Sequence, residues 1–223
     1  MELMLLGNTW TGGLYVDKES NVFFSGTFYG TYTIPSKDLE DNKEITLKSK
    51  GTYDLIIMKF NKAGKIYYID SIGGTNRDYA RTINILSNGD YIVSGYSNGD
   101  IEILAEDTVK NERILLEGME NGSYRGFIIK YTQDNKVEWA LNTDWIYYMS
   151  TMIETNNSYV FSCYHQMNGK LTIPGSLTDD KNDITLPEDT RDSLMWINKD
   201  GKIENSIKIE SYSLAVRRVS ICR

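Results

Sequence analysis

"LTIPGSLTDDKNDITL" (residues 171–186) repeats, almost word for word, "YTIPSKDLEDNKEITL" (residues 32–47), 139 residues earlier. If that distance is two periods, a third copy begins 69–70 residues after Tyr32. "IEILAEDTVKNERILL" (101–116) stands there, again 16 residues long. Gly30, Gly99 and Gly169 precede the three copies by the same offset, and Ile45, Ile114 and Ile184 recur at spacings of 69 and 70. The surrounding sequence keeps the same period. "NVFFSG" (21–26) matches "DYIVSG" (90–95) and "SYVFSC" (158–163), while "LIIMKFNKAGKI" (55–66) matches "FIIKYTQDNKV" (127–137) and "LMWINKDGKI" (194–203). The chain is one unit written three times, and a period this long belongs to a multi-strand unit that packs on its neighbours.

Four strand-like runs make up each unit. In the middle copy they are 80–86, 91–97, 126–132 and 137–143, with "SNGD" and "QDNK" as the short turns. Asn-Gly turns between β-branched and aromatic runs are hairpin signals. The second and third runs are apolar on both parities (Tyr91, Ile92, Val93; Phe127, Ile128, Ile129), the pattern of strands buried on both faces. No stretch keeps a 3.6-residue period, so helices should be nearly absent. In the first unit the strands should lie near 14–17, 22–27, 55–60 and 66–71. A repeated four-stranded antiparallel unit sandwiched between its neighbours is a β-propeller blade. A solenoid coil is much shorter, and a β-sandwich array would need linkers that the chain lacks. The fold class is therefore all-β: a β-propeller arc of three four-stranded antiparallel blades plus orphan strands at both termini, with long hairpin insertions on one face.

"GKIYYIDSIGGTNRDYARTINILSNGDYIVSGY" (64–96) resembles the bacterial β-propeller repeat of surface and secreted proteins, the seven-bladed-propeller type. The shared features are a Gly-Lys turn, an aromatic outer strand, a Gly-Gly before an Asp-Tyr, and an Asn-Gly hairpin. The likeness covers the whole chain in three copies, the middle one most fully; the third has no Gly-Gly pair. It implies a propeller at the cell surface or outside the cell, as a module of a larger protein, and implies no fixed activity.

The expected organisation is a single partial propeller over 1–223, with repeats at about 11–72, 79–143 and 147–209. Residues 1–9 align with a fourth, outer strand and 211–223 with a first, inner strand. Closed propellers have about 4–8 blades. Three blades leave two apolar faces open, so self-association or membership of a longer propeller is expected.

Composition narrows the function classes. A net charge of −7 argues against a protein that tracks nucleic-acid phosphates. No apolar run reaches the roughly 20 residues of a membrane helix. "MELMLLGNTW" has neither a basic n-region nor a full h-region, so no signal peptide is read in it. Cys163 and Cys222 are too few for a disulfide framework and read as ordinary buried thiols.

Function is expected at the end of the blades that carries the long connections. There, residues 96–124 hold seven acidic against two basic groups, and 164–192 hold six against three. Such segments read first as acidic solvated loops, and second as a face for a basic partner or a divalent cation. Calcium is the cation to test, with Asp179, Asp180 and Asp183 as weak candidates; their spacing lacks the alternating register of a calcium loop. No cofactor is expected. His165, two residues from Cys163, sits where the second repeat has an ordinary serine, so no nucleophile–base pair is assigned and no catalytic residue is named. The Gly-Gly pairs at 12–13 and 73–74 begin no helix and read as turns.

Aromatic and polar side chains of the interblade stretches are the ligand-binding candidates: Trp10, Asp78, Tyr79, Arg81, Trp145, Tyr147 and Tyr148. The expected function is a non-catalytic, surface-exposed module that binds a protein or a glycan through its long-loop face. The alternatives are a carbohydrate-active hydrolase or lyase and a purely structural spacer.

Overall fold

The computed structural model describes residues 10–119, 122–143, 148–165, 171–188 and 190–209. The first unit contains β1 (Trp10–Val16), β2 (Val22–Phe28), β3 (Thr31–Ile34), β4 (Ile45–Lys48), β5 (Asp54–Phe60) and β6 (Ile66–Ile72). The second contains β7 (Asp78–Ile85), β8 (Tyr91–Ser97), β9 (Ile101–Ile103), β10 (Ile114–Leu116), β11 (Arg125–Tyr131) and β12 (Val137–Thr143). The third contains β13 (Tyr148–Glu154), β14 (Ser158–Tyr164), β15 (Leu171–Ile173), β16 (Ile184–Leu186), β17 (Asp192–Asn198) and β18 (Ile203–Ile209). Three four-stranded antiparallel sheets result, ordered β1-β2-β5-β6, β7-β8-β11-β12 and β13-β14-β17-β18. Among the described residues the helical segments are two 3₁₀ turns, Ser36–Asp38 and Ala105–Asp107.

The repeat is exact at the level of ladder rungs. Phe24 lies opposite Leu14 and Met58; Val93 lies opposite Ile83 and Ile129; Phe161 lies opposite Met152 and Met195. Every inner strand carries a bulge at the same place, between Thr11 and Gly13, Ala80 and Thr82, and Met149 and Thr151. The turn into each fourth strand is closed by a left-handed residue, Gly64, Asn135 or Gly201, followed in each case by a lysine.

That lysine latches the insertion. Lys65 donates to the Lys37 carbonyl, Lys136 to that of Glu106, and Lys202 to that of Ser176. Beside it, the amides of Glu40, Val109 and Asp179 donate to the carbonyls of Ile66, Val137 and Ile203, the first residues of the fourth strands, each at 2.9 Å. The three insertions do form hairpins, β3–β4, β9–β10 and β15–β16, with their Ile-Ile rungs at 34/45, 103/114 and 173/184. They leave one end of the blade and fold back along its length to reach the opposite end. The acidic residues between the strand ends are exposed, as in Glu102, Glu106, Asp107, Asp179, Asp180 and Asp183, while Ile34, Ile103 and Ile173 are buried. The apolar strand ends cover a sheet face and leave the acids in solvent.

Packing shows which face. Ile101, Ile103 and Leu116 share a core with Phe127 and Ile129 of their own blade and with Phe23, Leu55 and Ile57 of the first. Ile173 and Leu186 share one with Met195 and with Ile92 and Ile128 of the second blade. Each hairpin therefore fills the wedge on the face its blade turns toward the preceding one. The first hairpin makes the same packing with Phe24, Phe28, Ile56 and Met58. At the inner edge of that first face Leu14 is 65% exposed, where its counterpart Ile83 is 3% exposed. On the last blade, Leu194 and Trp196 are only half-buried on the forward face of β17. The segments 1–9 and 211–223, read as orphan strands, lie outside the described residues.

Gly12 and Gly13 are not a turn, as the sequence suggested, but part of β1 at its bulge. Here β1 runs against β7: a Cβ at Gly12 would sit 2.9 Å from the Ala80 backbone, and one at Gly13 would sit 2.6 Å from the Ile83 nitrogen. Only glycine allows the inner strands to approach this closely. Gly13→Ala should cost about 2 kcal/mol in a urea titration, because the obstruction is backbone and cannot swing aside. Gly30→Ala, at φ +78 but with open space around it, should cost only about 1 kcal/mol. Equal costs would show that the blades can part to accept the side chain.

Candidate functional site

Antiparallel order brings six separated aromatic residues to one end of the first two blades. Trp10 opens β1, Tyr79 is the second residue of β7, Tyr29 and Tyr53 flank the first hairpin, and Tyr96 and Tyr124 flank the second. Backbone contacts between blades set their positions. The Thr52 amide donates to the Asn76 carbonyl at 2.8 Å and the Asp78 amide to the Tyr53 carbonyl at 2.8 Å, so residues 52–53 are joined to the entry of β7. The Tyr53 ring then lies 5.6 Å from Tyr79 and 5.0 Å from Trp10, and Trp10 lies 5.6 Å from Tyr79. Tyr29 meets Tyr53 edge-on at 5.6 Å. On the other side Tyr79 contacts Tyr96 at 4.9 Å and Tyr124 at 5.8 Å. Offset and edge-on contacts at these separations are favourable for aromatic rings. Trp10 is 54% exposed and Tyr29 45%, so the cluster is a surface feature.

Asp78, a candidate from the sequence, is buried beneath these rings and does not face solvent. It accepts from the Gly74 amide at 2.8 Å through one oxygen, while its other oxygen is buried without a hydrogen-bond partner. Asp54, also buried, accepts from the amides of Lys50 and Gly51 at 2.8 and 3.2 Å. Burial pushes Asp78 up to about 7, and the neighbouring Asp54 charge adds to the shift. Burial also raises Asp54, against the pull of its two amide bonds. Both carboxyls hold loops.

Of the other candidates, Arg81 is the extra residue of the β7 bulge, and its guanidinium lies 5.8 Å over the Tyr96 ring. Tyr148 opens β13 on the rung corresponding to Trp10 and Tyr79. Trp145 and Tyr147 lie outside the described residues. Tyr29, Tyr53, Tyr96 and Tyr124 were missed: they sit at the margins of the insertions, and their ring contacts depend on how two blades join. Their placement just outside the strand ends that face the long connections was the available signal.

Asp179, Asp180 and Asp183 are not gathered round a common point. Asn198 donates to Asp179, the Asn182 amide and side chain donate to Asp180, and the Gly175 amide donates to Asp183. Among the described residues no group of three His, Cys, Asp or Glu side chains is placed to hold a metal. Cys163 is buried, and desolvation raises its thiol well above the ordinary range, which disfavours the thiolate. His165 lies 2.8 Å from the Ser193 hydroxyl, with both side chains buried. Cys222 is outside the described residues.

At the opposite end, a cleft of about 590 Å³ between the first two blades is lined by Tyr15, Asp17, Phe23, Lys59, Tyr67 and Leu86, among others. Lys59 is buried, bonded to Asn135, and boxed by the rings of Tyr91 at 4.0 Å, Phe23 at 4.8 Å and Tyr68 at 5.1 Å. Desolvation lowers its pKa to about 8. The ammonium is consumed by these internal cation–π contacts and acts as a clasp between the blades.

No protein-family model matches the chain, and no curated protein matches it. Among solved structures it is similar to a crystal structure of a protein of unknown function from Bacteroides caccae, at 10% identity and a TM-score of 0.34, over 92% of this chain and 69% of that one. Among the described residues no helix is long and apolar enough to cross a membrane.

Two measurements test these placements. Asp78 has a folded pKa above its unfolded value, so its burial costs nothing below about pH 4 and progressively more up to about pH 7. The stability advantage of Asp78→Asn over the wild type should therefore grow across that window and level off above it; a gap independent of pH would show the carboxyl to be solvated. Replacing Asp179 and Asp180 by lysine should change stability by no more than about 0.5 kcal/mol. A loss of several kcal/mol would reveal an ion network.

Proposed function

We propose that this propeller arc is a non-catalytic binding module that holds a glycan chain at the Trp10–Tyr79 aromatic cluster. The observation that carries the reading is the cluster itself: six rings from two blades meet at one end, and two of them are about half exposed. The apolar C–H face of a pyranose stacks on such rings, and the surrounding tyrosine hydroxyls and arginines supply hydrogen bonds to sugar hydroxyls. The cluster is preorganised by backbone bonds between blades, which lowers the ordering cost of binding. Function lies at this ring array rather than in the folded-back hairpins, which frame it from both sides.

The disposition of acids favours binding over hydrolysis. A glycosidase needs two carboxyls facing one sugar-sized gap, whereas Asp54 and Asp78 are buried and turned toward backbone amides. The resemblance of the repeat to those of bacterial surface and secreted propellers supports a location at the cell surface or outside it, where glycans are the common ligands. The half-buried forward face of β17 supports association with further blades or a second copy.

A glycan array probed with the intact chain should give a defined set of hits. Trp10→Ala and Tyr29→Ala should each weaken those hits by roughly 30-fold, the usual loss for an anchoring aromatic. Hits that survive both substitutions unchanged would rule the cluster out as the site.

A further inference from the structure

Two arginines stand beside the aromatic cluster on a chain whose net charge is −7. Arg77 is exposed at the entry to β7, and Tyr124 beside it favours the charged guanidinium. Arg81, exposed four residues on, leaves the ladder at the bulge and lies over Tyr96. Both are thus fixed to rings that touch Tyr79. Of the acids at this end, Asp54 and Asp78 are buried, while Glu117 and Asp100, which accepts from the Gly118 amide at 2.7 Å, are exposed.

Two guanidinium groups held beside a stacking surface suit a ligand with a carboxylate next to an apolar ring face. A guanidinium fork matches a carboxylate in shape and charge, and such pairs are about twice as strong as neutral hydrogen bonds. Resting on the glycan reading above, we infer that the chain bound here is acidic, a uronate-bearing oligosaccharide whose carboxylate meets Arg77 and Arg81 while its sugar ring lies against the Trp10–Tyr79 cluster.

The test uses the intact chain, titrated calorimetrically with three uronate oligomers: galacturonate, mannuronate and hyaluronan. Each is paired with its own carboxyl-reduced, neutral counterpart. At least one uronate should bind roughly tenfold tighter than its reduced partner at low salt, with the margin shrinking as salt rises. Arg77→Gln with Arg81→Gln should abolish the margin, so that each uronate binds no tighter than its own reduced partner. Arg77→Lys with Arg81→Lys, which keeps the charge, should restore part of it; circular dichroism of both variants checks that the fold is intact. Equal affinity for every acidic and reduced pair would overturn the acidic preference while leaving glycan binding in place. Absence of binding to any of these oligomers, together with a blank array, would overturn both.

Discussion

A sheet whose central strands are apolar on both sides must bury two faces, and everything else in this structure answers that demand. Each blade presents one face to its successor and folds its own hairpin over the other, where the preceding blade also packs. The wedge that opens between diverging blades is thereby filled from within the repeat. Near the axis, where the gap closes, Gly12 and Gly13 let the backbones of β1 and β7 touch. At the end of the third-to-fourth strand turn, the lysine latch holds the hairpin down. Large side chains fill the outside of this first wedge, and none fits at the β1 bulge, where Gly12 and Gly13 meet the β7 backbone.

The aromatic end follows from the same packing. Because the first two blades are joined through residues 52–53 and 76–78, the rings on either side of that seam are brought within stacking distance. The buried Asp54 and Asp78 are the polar cost of the seam: they satisfy the amides of Lys50, Gly51 and Gly74, and accept raised pKa values in return. At the opposite end Lys59 closes the same interface with a cation between rings. Lys130, on the corresponding rung of the second blade, is met instead by Asp90 at 3.1 Å and by Glu138. The fold tolerates a lysine in the wedge, but each blade pair neutralises it differently.

The sequence showed the repeat and the strand order well, since these are carried by local periodicity and by residues such as Ile45, Ile114 and Ile184 that recur at a fixed spacing. It also showed that 32–47, 101–116 and 171–186 are hairpins. Their direction was not legible, because acidic residues between apolar ends describe a protruding loop as well as one folded back. What decides it is contact between Leu39, Thr108 and Thr178 and the fourth strands, a tertiary pairing without a sequence period. The glycines at 12–13 misled for a related reason: a close approach between backbones and a turn leave the same residue behind. Trp10, Tyr79 and Arg81 stand together at one end of the blades, but Tyr53 joins them only through the seam. Asp78, one residue from Tyr79, points to the opposite side of the strand and is lost to the interior.

A crystal structure of the chain soaked with the tightest-binding oligosaccharide is the most direct measurement of whether the seam between the first two blades is the binding surface. Sugar density against Trp10 and Tyr29, with polar contacts to Arg77 or Arg81, is the expected result. Density in the cleft lined by Tyr15, Lys59 and Tyr67 at the other end, with the aromatic cluster empty, would contradict it.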